Sequence, residues 1–318
     1  MHNFSPSNLP QSPDFGDIKK LAKKFFEILK EKKIKCAVVE CSTGGSISSE
    51  IVKNIGASQI FLGAFLPYSN ELKSFLSADL SDGAVSEKCA LSLARKVKDI
   101  TNADLVISET SILGPKGGTE TKPVGLSFLA IASNKGEFSF VNFFRGNREK
   151  IMKYVVSSAF FFAINHILGW NLQTRKVAST FIEYKGKILI LKRSRKVGSY
   201  RGKWGVVSGH IEEGETEEET SLKELKEEIG LDINLIKELT KSSPFELSDI
   251  KLGIRWEITP FRAVLKTKPE IKIDWEHVKY LWIKPSELSK FKTAPLLYQG
   301  YLKNIFTPTD IKINLGTP

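Results

Sequence analysis

Between Gly209 and Leu231 the chain reads GHIEEGETEEETSLKELKEEIGL, and no other stretch limits its folding as much. Five residues separate Gly209 from Glu215 and seven more precede Lys223-Glu224-Leu225-Lys226-Glu227-Glu228; Gly230 and Leu231 close the run. At about 3.6 residues per turn, Glu224, Glu227 and Glu228 share one helix face, while Leu222, Leu225 and Ile229 fall on another. Carboxylates crowded on one side repel each other and destabilise a helix by some tenths of a kcal/mol. A hard divalent cation reverses that sign, because Mg2+ is held by carboxylate oxygens and substrate phosphates. Glu217 to Glu219 need no such partner and read as the solvated, acidic part of a helix. The face with Glu224, Glu227 and Glu228 reads as a metal site.

With its spacing laid out, the stretch resembles the Nudix box: G, five residues, E, seven residues, R-E-aliphatic-x-E-E-x-G-aliphatic. Every fixed position matches except the arginine, replaced here by Lys223. The resemblance implies metal-assisted cleavage of nucleoside diphosphates linked to another moiety, with Mg2+ or Mn2+ held by Glu224, Glu227 and Glu228. It also implies that Glu215, at the foot of the helix, ligates or braces. A lysine offers a point charge where arginine offers a planar fork, so weakened rather than abolished function is expected.

A chain of 318 residues is long for one ordinary domain, and two are expected. No run of eighteen apolar residues appears, so no transmembrane span is expected. The start, MHNFSPSNLPQSPDFGD, lacks a basic flank and apolar core; residues 1–14 read as a disordered arm. Cys36, Cys41 and Cys89 form an odd set without zinc-ligand spacing, which suits a reducing, cytoplasmic setting. The net charge of +11 suits attraction of a phosphorylated nucleotide small molecule. The lysines are spread along the chain with no basic block between exposed aromatics, so nucleic acid is not the expected partner.

Taken in order, Asp17 to Lys33 is an amphipathic helix with Ile18, Leu21, Phe25, Ile28 and Leu29 on its stripe. Lys35 to Glu40 is a buried-type strand leading into Cys41-Ser42-Thr43-Gly44-Gly45 and a helix from Ser46 to Asn54. Strand, glycine turn and helix in that order aim backbone N–H groups at a bound anion. Strands follow at Gln59 to Leu66 and Ala103 to Glu109, with a helix at Ser86 to Lys98 between them. Val124 to Ser133 and Glu137 to Phe144 form a hairpin, and Glu149 to Leu168 a long helix.

VECSTGG, PYSNELK, GAVSE, ETSILGPKGGTETKPVG and FRGNR, in that order over about 145 residues, resemble the CinA C-terminal domain of the nicotinamide-nucleotide amidase family. In that family the first motif is E-S-C-T-G-G with serine as the presumed nucleophile. Here Cys41 takes the serine's place and Ser42 the cysteine's. A thiolate attacks an amide-type carbon when a nearby cation lowers its pKa, and the resemblance places Lys73 to supply that charge or act as base. Arg148 is implied as an anion clamp. Thr110, Gly117 and Gly118 are implied as oxyanion or ligand contacts, with Gly44 and Gly45 in the turn. A domain of this type is expected to form a homodimer. The alternative for Cys41 is an inert buried thiol in a catalytically silent domain.

The second half carries strands at Val177 to Tyr184 and Lys187 to Lys192, then Lys192-Arg193-Ser194-Arg195 and WGVVSG, matching the Nudix surroundings. Arg193 and Arg201 are candidates to grip substrate phosphate. Strands are expected at Asp232 to Leu239 and Gly253 to Leu265. Asp274 to Ile283 resembles a segment found in many Nudix domains, making Glu276 a candidate metal ligand or base; His277 reads as base or structural. A final helix spans Ala294 to Ile305. The expected fold is α/β: a three-layer CinA-like domain over 15–170, a linker at 171–176, a Nudix α/β/α sandwich with mixed sheet over 177–306, and a tail from 307. Three functions stay open. One is a bifunctional hydrolase that cleaves a nucleotide such as NAD(H) and deamidates the resulting nicotinamide mononucleotide. Another is a Nudix enzyme with a silent first domain, and the third a nucleotide-binding regulatory protein.

Overall fold

The structure is a computed structural model that describes residues 5–311. Gln11–Leu172 form one compact unit, and the described residues on either side of it, 5–10 and 173–311, form the other.

In the first unit α1 (Ile18–Lys32) begins where the Asp17 side chain accepts from Lys20 N. The apolar run after it is β1 (Cys36–Glu40), buried throughout. There follow α2 (Ser46–Val52), β2 (Phe61–Phe65), α3 (Asn70–Phe75), α4 (Glu87–Thr101), β3 (Leu105–Ser111), β4 (Leu126–Ser133), β5 (Gly136–Phe143) and α5 (Arg148–Leu168). The sheet order is β2-β1-β3-β4-β5, parallel across β2-β1-β3 and antiparallel beyond. Alternate residues of β5 meet different helices. Phe138 and Phe140 contact His166 and Phe162 of α5, whereas Glu137 and Ser139 bond Arg95 and Glu87 of α4. Side chains on a strand alternate between faces, so α4 and α5 cover opposite sides and the domain has three layers. Among the described residues, α5 alone is long and apolar enough to cross a membrane; 67% of that window is buried inside the domain.

One crossing in this unit leaves no room for a side chain. Gly125 sits at φ +96°, and a Cβ there would lie 1.9 Å from the Phe144 carbonyl oxygen. Strain in that backbone region and a collision with main chain act together. Gly125→Ala is expected to cost about 3 kcal/mol, lowering the melting temperature of the unit by roughly 10 °C. Thermal unfolding followed by circular dichroism checks this; a shift under about 2 °C would show that the crossing opens easily.

The second unit runs β6 (Gln173–Tyr184), β7 (Lys187–Arg193), β8 (Trp204–Gly205), β9 (Val207–His210), α6 (Glu217–Ile229), β10 (Ile236–Ser242), β11 (Phe245–Asp249), β12 (Ile254–Leu265), β13 (His277–Ile283), α7 (Leu297–Phe306) and β14 (Pro308–Asp310). These strands form one mixed sheet, β13-β7-β6-β12-β10-β14, with β11 on β12, β8 on β7 and β9 on β6; it does not close into a barrel. Its spine is the parallel pair β6 and β12, in register from Gln173 opposite Ile254 to Glu183 opposite Val264. On β6 Thr180 bonds Ser221 of α6, while the next residue, Phe181, packs on Tyr301 of α7. Adjacent positions point to opposite faces, which puts one helix on each side of the sheet.

Several boundaries differ from the sequence expectation. Gln173 to Lys176, expected as linker, are already sheet, because β12 begins early enough to pair with them. Part of the expected N-terminal arm is ordered: Pro6–Asn8 form a turn, Leu9 is 1% exposed, and Ser12 exchanges hydrogen bonds with Phe143. Residues 1–4 lie outside the described residues. In the expected tail, Pro308–Asp310 pair with β10, and residues 312–318 lie outside the description. The last helix begins at Leu297 rather than Ala294, since Leu296 takes a left-handed backbone.

Candidate active site

The box stretch folds as its spacing requires. Thr216 caps α6 in a reciprocal capping box with Glu219, and Gly230 closes it in the left-handed region. Lys223 Nζ donates to Glu215 Oε1 at 2.7 Å, and Thr220 donates to the other oxygen at 3.0 Å. The hydrogen bond from Lys223 lowers the Glu215 pKa, and the one to Glu215 raises that of Lys223. The lysine thus keeps a bracing contact at the helix foot, and Glu215 faces it.

Higher on the helix, Glu224 leans onto β9. A Cβ at Gly209 would fall 2.1 Å from Glu224 Oε1, so only glycine leaves that carboxylate its place. Glu228 is 3% exposed. Its Oε1 accepts from Ser208 N at 3.0 Å, whereas Oε2 is buried with no hydrogen-bond partner. Burial first, then Glu224, Glu276 and Asp274, push its pKa well above the ordinary value, against the Ser208 N–H. Burial and Glu227 raise Glu224 as well. Glu227 lies exposed on the same helix.

The segment before β13 is strapped to the end of α6: Lys272 N donates to Ile229 O and Asp274 N to Glu228 O, each at 3.0 Å. That strap delivers His277, whose Nδ1 lies 3.2 Å from Asp274 Oδ1 and whose Nε2 lies 3.6 Å from Glu228 Oε2. Burial lowers the His277 pKa, opposed by Asp274. With Nδ1–H donated to Asp274, a neutral ring turns its Nε2 lone pair toward the unpartnered carboxylate oxygen, and two acceptors face each other. Among the described residues no three acidic or histidine side chains converge at ligand distance. The donor set nevertheless fits a hard cation: an unsatisfied buried oxygen on Glu228, with Glu224 and Glu276 electrostatically coupled to it.

Glu224, Lys223, Ser208, Gly209, His210, Arg175, Arg193, Trp256, Trp275 and Glu276 line one cleft. Arg193 donates to Ser199 O at 3.1 Å and lies 3.9 Å from Glu276. Arg201 does not line the cleft; it donates to Val197 O at 2.8 Å. The cleft continues into an apolar pocket walled by Phe181, Tyr200, Phe245, Leu247, Trp256 and Leu296. Tyr200 and Leu296 are both held in the left-handed region, which bulky side chains rarely adopt. Sequence reading passed over Tyr200, Trp256 and His210: no spacing rule marks them, because the sheet gathers them from separate strands and loops.

In the first unit Glu40 and Glu109 stand side by side on β1 and β3. Glu109 accepts from Ser42 N (2.7 Å), Ser42 Oγ (2.5 Å), Thr43 N (2.9 Å) and Ser111 Oγ (3.0 Å). Glu40 accepts from Thr43 Oγ1 (2.6 Å), Ile47 N (3.0 Å), Ser48 N (2.9 Å) and the Ser48 hydroxyl. The amides expected to meet a bound anion are therefore taken by the chain's own carboxylates. Gly44 and Gly45 turn the loop in the left-handed region. Cys41 is 3% exposed, and burial, ahead of Glu109, drives its thiol pKa up; Lys73 only partly opposes this. Lys73 is buried and donates to Tyr68 O at 2.8 Å. Arg148 donates to Gly114 O at 2.8 Å, and Thr110 to Ala84 O at 2.7 Å. Gly118 is pressed against the Val124 amide and Gly117 is left-handed.

Two family models match. One is the CinA C-terminal domain over residues 18–167, the other the NUDIX domain over residues 173–303. A CinA-like protein of Thermotoga neapolitana is 40% identical over 129 residues, covering 39% of this chain and 31% of that protein. A putative competence-damage inducible protein of Caldicellulosiruptor bescii is 38% identical over 137 residues, covering 42% and 33%. The chain thus spans about a third of the length of these relatives. Among solved structures, the competence/damage inducible protein CihA from Agrobacterium tumefaciens is 28% identical, covering 49% of this chain and 99% of that one, with a TM-score of 0.45. The MutT protein from Methanosarcina mazei Go1 is 17% identical, covering 42% and 94%, with a TM-score of 0.36.

Proposed function

Residues 18–167 are a CinA C-terminal domain and residues 173–303 a NUDIX domain, and from that premise we propose that the NUDIX domain hydrolyses the phosphoanhydride of a nucleoside-diphosphate-linked small molecule. The observation that carries this is Glu228: a buried carboxylate with one oxygen fixed by Ser208 N and the other unpartnered, beside Glu224 and Glu276. Such a group is costly to keep ionised unless a cation completes it. Glu224, Glu227, Glu228 and Glu276 would hold Mg2+ or Mn2+, which when bound lowers the pKa of water and offsets charge on the leaving phosphate. Glu215 braces through Lys223. Arg193 faces the cleft and attracts substrate phosphate, while the apolar pocket takes the organic half and excludes water.

In the CinA domain we infer that Cys41 is not a nucleophile. Its thiol is buried and shifted away from thiolate, and the neighbouring amides are engaged by Glu109. This favours a domain that self-associates or senses a ligand over one that deamidates through Cys41.

The full chain should cleave at least one of ADP-ribose, NAD(H), a dinucleoside polyphosphate or isopentenyl diphosphate with Mg2+ present, and lose that turnover on chelation. Turnover of none, with metal supplied, would sink the hydrolase reading. Any ammonia released from nicotinamide mononucleotide should be unchanged by Cys41→Ala; its loss would restore the thiol as nucleophile.

A further inference from the structure

Beside the carboxylate cleft lies a second concavity lined by Lys192, Arg193, Arg195, Lys196, Trp275 and Val278. It shares Arg193 and Trp275 with that cleft, so the two are continuous. The topology makes the shelf: the end of β7 pairs with the start of β13, setting Arg193 opposite His277 and Lys192 opposite Lys279. The loop entering β13 then lays Trp275 over the residues that leave β7. Among the described residues Lys192, Arg195 and Lys196 make no ion pair, in contrast to Arg193. Trp275 is 62% exposed and Val278 beside it 60%, so the shelf carries bare apolar surface next to its cations. The cations and the indole line one concavity. Together they match a phosphorylated nucleoside, whose charge and flat base need just those two contacts.

We propose that this shelf is the subsite for a second nucleotide beyond the scissile anhydride, which makes the substrate a dinucleoside polyphosphate. One base enters the apolar pocket, the phosphates cross the carboxylates and Arg193, and the other base stacks on Trp275 with its phosphates on Lys192, Arg195 and Lys196. Hydrolysis joins a water oxygen to one phosphorus of the anhydride and breaks that phosphorus's bond to the bridging oxygen. That oxygen leaves on the other nucleotide while the water's proton passes to solvent, so two nucleotides are released. A longer polynucleotide is a poorer match, since one short basic run and one indole cannot track its backbone. The assignment rests on the hydrolase reading for its chemistry but not for its binding test.

That test uses the metal-free full chain titrated with diadenosine tetraphosphate and, separately, with AMP. The tetraphosphate should bind at least about tenfold tighter than AMP, and both Trp275→Ala and the Lys192→Ala/Arg195→Ala/Lys196→Ala variant should abolish most of that advantage. Because these side chains are not part of the core, unfolding temperatures should stay at the parental value. Equal affinity for the two ligands in the parent, or an advantage untouched by Trp275→Ala, overturns the subsite. Binding as expected without hydrolysis on adding Mg2+ supports the subsite and removes only the proposed reaction.

Discussion

Glu228→Gln is expected to lower kcat by about 10³-fold on whichever substrate the parent turns over. The exchange preserves volume, and the amide oxygen still accepts from Ser208 N, so the helix keeps its seat on β9. What disappears is the ionisable oxygen that faces His277 at 3.6 Å. In the metal-free protein the same change should be stabilising, because the parent must hold a carboxylate in a site whose burial disfavours its charge. Linkage fixes the sign. The folded-state pKa of Glu228 is raised, so its favourable contribution is complete below the unfolded value, about 4.3, and is lost as pH rises toward the folded value. Melting temperatures of metal-free parent should therefore fall across that window relative to the Gln variant, by roughly 2–4 °C for each kcal/mol. Parallel pH profiles combined with unchanged kcat would remove Glu228 from the site.

Gly209→Ala separates placement from charge. A methyl group there would sit 2.1–2.3 Å from Glu224 Oε1, Cδ and Cγ, and the flexible carboxylate, not the backbone, would give way. Every charged group survives, yet Glu224 is displaced from Glu228 and Glu276. Displacement of that size in an organised site costs about 10²-fold in kcat. Stability should change by no more than about 1 kcal/mol. A variant with full activity would show that Glu224 has no fixed position in catalysis; a variant that fails to melt cooperatively would place the clash in the scaffold.

The box helix was legible because its information is local: a 3.6-residue period and glycines at both ends of the run. Both domain folds followed from motif order for the same reason. What stayed hidden is cooperative between distant segments. No strand was expected at β11; in the sheet its Glu246 is fully buried and paired with Arg255 at 2.8 Å, and no neighbour in sequence announces that partner. Glu109 read as the end of a strand, while the structure makes it the acceptor for the Ser42-Thr43 turn. Cys41 and Lys73 were brought forward by motif position, and they are indeed electrostatic neighbours. Burial, which a motif does not encode, turns that thiol the other way.

The turn at Pro6–Asn8 has a consequence for how the protein is made. It lies against Pro285–Lys290, and Asn8 donates to Gly186 O at 3.3 Å, across 178 residues of sequence. During synthesis that segment emerges before the CinA domain and waits while the whole of that domain is translated ahead of its partners. At a ribosome's pace the delay is on the order of ten seconds or more. Folding of the NUDIX domain must then reach back for a turn of chain that left the tunnel before the CinA domain. A fragment cut at Gln173 begins life without it.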